Sequence, residues 1–250
     1  MVKINKINLL SYAQNSSTPP LPTNGLAANL AAYWKFDENS DGSQAVDRID
    51  ATANGHNFIK VFDNVPSALG LDNRQAVDLS NNKGFTTSHH ADFTVGQNFS
   101  FSLWYQPHSF NTYDYLFSKY IPSAREYVLQ INSSQVQLLL GEGNSNFIDT
   151  FSSGFNLQVN SWHHIVLAHD RDNQNLIFYV NNVKAIEPYY GTTGTLGTGV
   201  LAINGLSNNA GVTANGLMQD VGFWSNRVLS DADVATLYNS GTPFSFDNFN

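Results

Sequence analysis

A chain of 250 residues with a formal net charge of -8 and only 12 Lys+Arg would repel nucleic-acid phosphate, and no basic cluster offsets that repulsion. Cysteine is absent, which excludes a disulfide framework and thiolate zinc sites. Charged residues make up 13% of the chain, against about a quarter in ordinary globular proteins, so the polar surface must be Asn, Ser, Thr, Gln and Gly, a composition suited to a turn-rich β protein.

Residues 1–28 read as an extended arm. Val2, Ile4, Ile7 and Leu9 suggest a short extended piece, and the run from Asn15 to Gly25 is a Pro/Ser/Asn linker with no core of its own. Ordering such a segment costs backbone entropy. The arm is therefore expected to dock on a protein partner in an oligomeric assembly, with packing back on its own domain as the alternative. The start lacks the apolar core of a classical signal peptide, and no apolar run is long enough to cross a bilayer.

The globular domain is expected over 29–250. Ala32–Phe36 alternates as a strand, an acidic loop follows through Asp47, and Ala53-Asn-Gly-His56 is a turn. Further strands are expected at 75–79, 84–88, 99–106, 115–119, 126–131, 136–140, 163–170, 176–180, 184–187, 199–203 and 217–224, several joined by hairpin turns such as Asn181-Asn182. In the last of them Met218, Asp220, Gly222 and Trp224 should share one face. Ser230 and Asp233 form a capping-box signature, with Gly241 as the left-handed stop of a short helix. Many short strands with one helix imply an all-β, two-sheet antiparallel sandwich.

Five stretches taken in order carry a resemblance. Tyr33-Trp-Lys-Phe-Asp-Glu38 opens the domain, followed by Phe99-Ser-Phe-Ser-Leu-Trp104, Trp162-His-His-Ile-Val-Leu-Ala-His-Asp170 and Leu176-Ile-Phe-Tyr-Val-Asn-Asn182. The chain closes with Asp220, Phe223-Trp224, Asn226-Arg227, Leu229-Ser230 and Leu237-Tyr-Asn239. Together they resemble the laminin G-like jelly rolls of the concanavalin A-like lectin/glucanase superfamily over residues 31–241. The resemblance implies a jelly-roll sandwich and one structural calcium, with Asp47, the carbonyls near Asn54 and Gly55, and Asp220 at the matching positions. Asp220 also argues for itself, because a buried carboxylate needs a metal or a paired donor. Calcium, or Arg227 and backbone amides, are the alternatives.

Glycoside hydrolysis needs two carboxylates about 5–10 Å apart, and the Glu-x-Asp-x-(x)-Glu strand of the catalytic relatives is missing. The four glutamates, Glu38, Glu126, Glu142 and Glu187, are far apart in sequence. The chain therefore reads as a non-enzyme. Aromatic residues expected in loops are the ligand-binding candidates: Tyr113, Tyr115, Phe147, Tyr189 and Tyr190. His89 and His90, next to Asp92, could hold a metal or stack on a ligand, or simply form a polar loop. The four tryptophans fall in expected strands and read as core. The leading expectation is a structural or adhesion module of a larger assembly such as a phage particle, on a virion or extracellular surface, binding protein or cell-surface glycan. The alternatives are a free carbohydrate-binding lectin and, third, a polysaccharide hydrolase.

Overall fold

Short β-branched and aromatic runs, broken by Asn, Gly and Ser, pair into antiparallel ladders. The computed structural model describes residues 25–60, 64–80, 83–142, 146–191, 197–206 and 214–249. Within these residues the strands are β1 (Leu30–Trp34), β2 (Ile59–Lys60), β3 (Ser67–Leu69), β4 (Gln75–Asp78), β5 (Phe85–Thr87), β6 (Phe99–Ser109), β7 (Asp114–Ile121), β8 (Ala124–Asn132), β9 (Gln135–Gly141), β10 (Phe147–Asn156), β11 (His163–Asp170), β12 (Asn175–Val180), β13 (Val183–Pro188), β14 (Leu201–Ile203) and β15 (Asn215–Ser225), followed by the helix α1 (Asp231–Tyr238). The expected arm lies almost wholly outside the described residues. Its last four residues belong to the domain instead: Leu26 is fully buried, its carbonyl accepts from Trp224 Nε1 at 2.7 Å, and Ala27 N–H donates to the Phe249 carbonyl at 2.8 Å. The packed domain thus begins before residue 29, because Leu26 fills an apolar site.

One sheet runs β13-β12-β11-β6-β15-β4-β3, with β1 also on β15, and the other runs β10-β9-β8-β7-β14-β5-β2. Phe99, Phe101, Ile165, Leu167 and Phe223 of the first sheet join Phe85, Phe117, Tyr127, Leu129 and Leu138 of the second in one apolar cluster. Ring pairs bridge the layers, Phe101–Phe117 at 4.8 Å and Phe99–Tyr127 at 4.9 Å. This is the expected sandwich. The first sheet is buried on its outer face too, where Val166, Ala168, Ile177 and Trp224 meet Val234 and Leu237 of α1 and Phe249 of the C-terminal tail. That double burial explains why β11 shows no polar–apolar alternation.

Three strands were not foreseen. β2 and β3 are too short to show a period, and β10 runs through the Gly- and Ser-rich stretch read as a loop; it pairs with β9 over most of its length. The alternation expected along β15 also breaks. Asp220 has a φ of 51°, and the pairing with β6 slips between Gln219 and Gly222. This bulge inserts one residue and flips the phase, so Met218, Val221 and Phe223 face the inter-sheet core while Trp224 packs outward.

The helix starts as the sequence implies. Asp233 N–H donates to Ser230 Oγ at 3.2 Å, and Ser230 N–H donates to Asp233 Oδ2 at 2.9 Å. It stops earlier than expected, because Asn239 (φ 42°) takes the left-handed cap position and Gly241 follows a further turn. Ser230→Ala should cost about 1 kcal/mol, read as a lowered urea midpoint at unchanged slope. An unchanged midpoint would show that the cap adds nothing to stability.

Candidate functional site

The expected ligand-binding aromatics do not converge. Tyr113 is exposed between β6 and β7, Tyr115 lies within β7, and Tyr190 is 84% exposed after β13. Phe147 is not a loop residue: it begins β10, with the Arg125 guanidinium 4.8 Å from its ring and Tyr120 stacked at 6.0 Å. Tyr189 is buried. Its hydroxyl bonds to His169 Nε2 at 2.9 Å, and His169 Nδ1 donates to the Gln97 carbonyl at 3.1 Å. It is a core residue, because its hydroxyl finds a buried partner.

Asp220 is buried as expected, but its charge is met by a different group. Arg74 donates to both carboxylate oxygens, at 3.2 Å and 2.5 Å, Tyr33 Oη donates at 3.0 Å and Gln219 Nε2 at 3.1 Å. Arg227, the partner considered from sequence, pairs with Asp233 at 2.9 Å. Burial raises the Asp220 pKa, and the Arg74 charge opposes that rise. The need for a cation at Asp220 is thus answered by a guanidinium. Asp47 is exposed, Asn54 Nδ2 donates to the Ala31 carbonyl at 2.8 Å, and Gly55 sits at φ 77° in its turn. The buried side chains of this loop are Arg48, which donates to the carbonyls of Glu38 (2.7 Å) and Val65 (2.8 Å), and Asp50, which accepts from Tyr33 N–H and His56 N–H, each at 3.0 Å.

A groove of about 400 Å³ lies where the end of β10 and the loop before β11 meet the β12–β13 turn. Its lining includes Trp162, Asn156, Gln158 and Asn181. Trp162 corrects the core expectation: it precedes β11 and is half-buried, whereas Trp34, Trp104 and Trp224 are buried. Of the amide wall, one side-chain amide and the backbone at Gln158 are fixed in place. Asn181 Oδ1 accepts from His164 N–H at 2.9 Å, and Gln158 N–H donates to His163 Nε2 at 2.9 Å. Asn181 and Asn182 both adopt left-handed backbone, φ 50° and 66°, as a two-residue hairpin turn requires. Burial lowers the His163 pKa, which keeps this wall uncharged. The groove therefore offers an indole and amides that both donate and accept hydrogen bonds, a lining suited to a neutral polyhydroxylated ligand. In sequence, Trp162 carries no sign that it is exposed.

Of the two adjacent histidines, His89 bonds the Gly199 backbone, and His90 turns toward Asp92. The residue that joins them is His56, read from sequence only as the end of a turn. His56, His90 and Asp92 offer ligand atoms that all lie within 4.8 Å of one another, the single such group of His, Asp and Glu among the described residues.

Comparison with known proteins follows this geometry. The family model described as "Concanavalin A-like lectin/glucanases superfamily" matches residues 79–235. Among solved structures, domain 4 of AbnA, an extracellular arabinanase from Geobacillus stearothermophilus solved with arabinotriose, superposes with a TM-score of 0.64 at 16% identity, covering 84% of this chain and 98% of that one. The binding domain of Paraclostridial Mosquitocidal Protein 1 gives 0.66 at 14% identity, covering 86% and 53%. A botulinum neurotoxin type C structure, from work on its interaction with two ganglioside molecules, gives 0.65 at 11% identity, covering 85% and 51%. The chain thus spans about half the length of the toxin domains. At these identities the likeness is one of fold. Comparison with curated proteins finds none that matches.

Proposed function

Since the chain belongs to the concanavalin A-like lectin/glucanase superfamily, of which the family model covers residues 79–235, we propose that it is a non-catalytic glycan-binding module. The observation that carries this reading is the groove in which half-buried Trp162 stands beside Asn156, Gln158 and Asn181. An aromatic face covers the apolar C–H side of a sugar ring, and side-chain amides match its hydroxyls without a charge to desolvate. Similar folds occur in the arabinotriose-bound domain and the ganglioside-linked toxin structure, and also in a botulinum neurotoxin binding domain in complex with rat synaptotagmin II, so the choice of a glycan over a protein partner rests on the groove lining. Glu126 supports the non-catalytic part, since it is buried in an ion pair with Lys119 rather than facing a cleft. The virion setting expected from the arm rests on residues outside the described part and is not needed for this reading.

The test is a panel of neutral oligosaccharides, arabino-oligosaccharides and ganglioside headgroups included, followed by titration of the best binder. Trp162→Ala should weaken binding at least tenfold, about 1.4 kcal/mol, with an unchanged melting temperature. No binder across the panel, equal binding by Trp162→Ala, or release of reducing ends from a polysaccharide would each overturn the reading.

A further inference from the structure

We infer that His56, His90 and Asp92 form a binding site for one divalent transition-metal ion of the zinc class. The position follows from the fold. His56 ends the turn after Asn54-Gly55, and its backbone is held on both sides: its N–H donates to Asp50 Oδ2 at 3.0 Å, and its carbonyl accepts from Trp34 Nε1 at 2.7 Å. Its ring stands edge-on to Phe93 at 4.8 Å, and the side chain is 11% exposed. It is a pre-set ligand. His90 and Asp92 come from the single turn around Ala91–Phe93, with side chains 50% and 40% exposed and free to adjust.

The separations suit one ion. Asp92 Oδ2 lies 3.0 Å from His90 Nδ1 and 3.9 Å from His56 Nε2. Two ligands each about 2.0–2.2 Å from a shared zinc stand roughly 3–4 Å apart, so small rotations of the two exposed side chains close the set. The lone pairs also ask for a cation. Asp92 N–H donates to His90 Nδ1 at 3.3 Å. That bond is long, so the single lone pair of Nδ1 can turn from Asp92 N–H to an ion that also meets the carboxylate 3.0 Å away. The ligand chemistry selects the metal, because calcium takes oxygen ligands whereas imidazole suits zinc, nickel and copper. Three protein ligands leave a fourth position open. Asp92 also lines a cleft of about 240 Å³ with Asn29, Asn54 and Asn226, through which water or a ligand group can reach that position.

This inference does not rest on the glycan reading, whose groove uses other residues. The test is titration of the full chain, stripped with chelator, with zinc, cobalt and calcium chlorides, read by calorimetry and thermal melting. The expected result is one zinc per chain with a raised melting temperature, a visible cobalt absorption band of nitrogen–oxygen ligation, and no response to calcium at the same concentration. His90→Ala should weaken zinc binding roughly tenfold or more with an unchanged metal-free melt, because its side chain is half exposed. His89→Ala should bind as the parent does. No saturable zinc binding, an undiminished affinity in His90→Ala, or an equal loss in His89→Ala would overturn the assignment.

Discussion

Lys119→Met should unfold at a much lower urea concentration than the parent, with a loss of roughly 3–5 kcal/mol. Lys119 on β7 and Glu126 on β8 form an ion pair whose side chains are wholly buried. Lys119 Nζ also donates to the Gly197 carbonyl at 2.7 Å, and Glu126 Oε2 accepts from Val95 N–H at 2.8 Å. Burial pushes the lysine pKa down and the glutamate pKa up, each toward its neutral form, and the opposite charge of the partner resists both shifts. Taking away the lysine leaves a carboxylate with no cation in an apolar layer, a large fraction of the 5–15 kcal/mol that typically holds a domain together. Gly197 adds a constraint, because a Cβ there would meet the Ala124 carbonyl at 2.8 Å and Glu126 Oε1 at 2.9 Å. The double variant Lys119→Met/Glu126→Leu should recover much of the loss, since two apolar side chains leave no charge unpaired. Equilibrium urea unfolding of all three proteins decides the matter. A single-variant loss below about 1 kcal/mol, or a double variant no better than the single, would show that the pair is not needed for stability.

Acidification from pH 7 to pH 5 should remove several kcal/mol of stability, chiefly through two imidazoles. His164 is buried on the outer face of the first sheet, 4.9 Å from the Trp104 ring, sharing a 2.8 Å hydrogen bond with Ser102 Oγ. His169 is buried on the inner face against Phe99 and Tyr189. Burial lowers their pKa values to about 3 and about 4. The unfolded chain takes up these protons near pH 6.5 and the folded chain does not. The stabilising contribution is therefore complete above that value and is lost as pH falls toward the folded pKa values. At pH 5 the loss is about 2 kcal/mol per histidine. Asp114, Asp220 and Glu126 work the other way, since burial raises their pKa values and favours proton uptake by the folded state. The clean readout is thus a difference. His164→Gln should lose about 2 kcal/mol less than the parent between pH 7 and pH 5, measured by urea unfolding at each pH. Parallel curves for the two proteins would show that His164 titrates normally.

The strands legible in the sequence were those with local signals, a pair of turns and a run of alternating residues. The helix cap was legible for the same reason, as Ser230 and Asp233 are three residues apart. What stayed hidden depends on partners far along the chain. β10 is a strand because β9 lies beside it, not because Ser152-Ser153-Gly154 favours extension. The bulge at Asp220 sits where β15 passes from β4, paired at Leu217 and Met218, to β1, paired from Val221 onward, a junction no local pattern reports. Double burial of the first sheet removed the alternation that would have marked which face of β11 is outer. The site residues show the same divide. His90 and Asp92 were visible as neighbours, whereas His56 reaches them only through the folded loop. Trp162 and Tyr189 changed places, the first expected in the core and the second at the surface, because aromatic residues look alike until their neighbours are known.

The bond between Ala27 and Phe249 has a further consequence. Among the described residues, the chain enters and leaves the sandwich at a single corner, where one backbone hydrogen bond joins Ala27 to Phe249. Such a domain can be spliced into a surface loop of an unrelated host with no stretching of either chain, as domains with adjacent ends tolerate insertion and permutation. It is built like a pendant on a closed ring: the host backbone runs past the clasp, and the sandwich hangs from it.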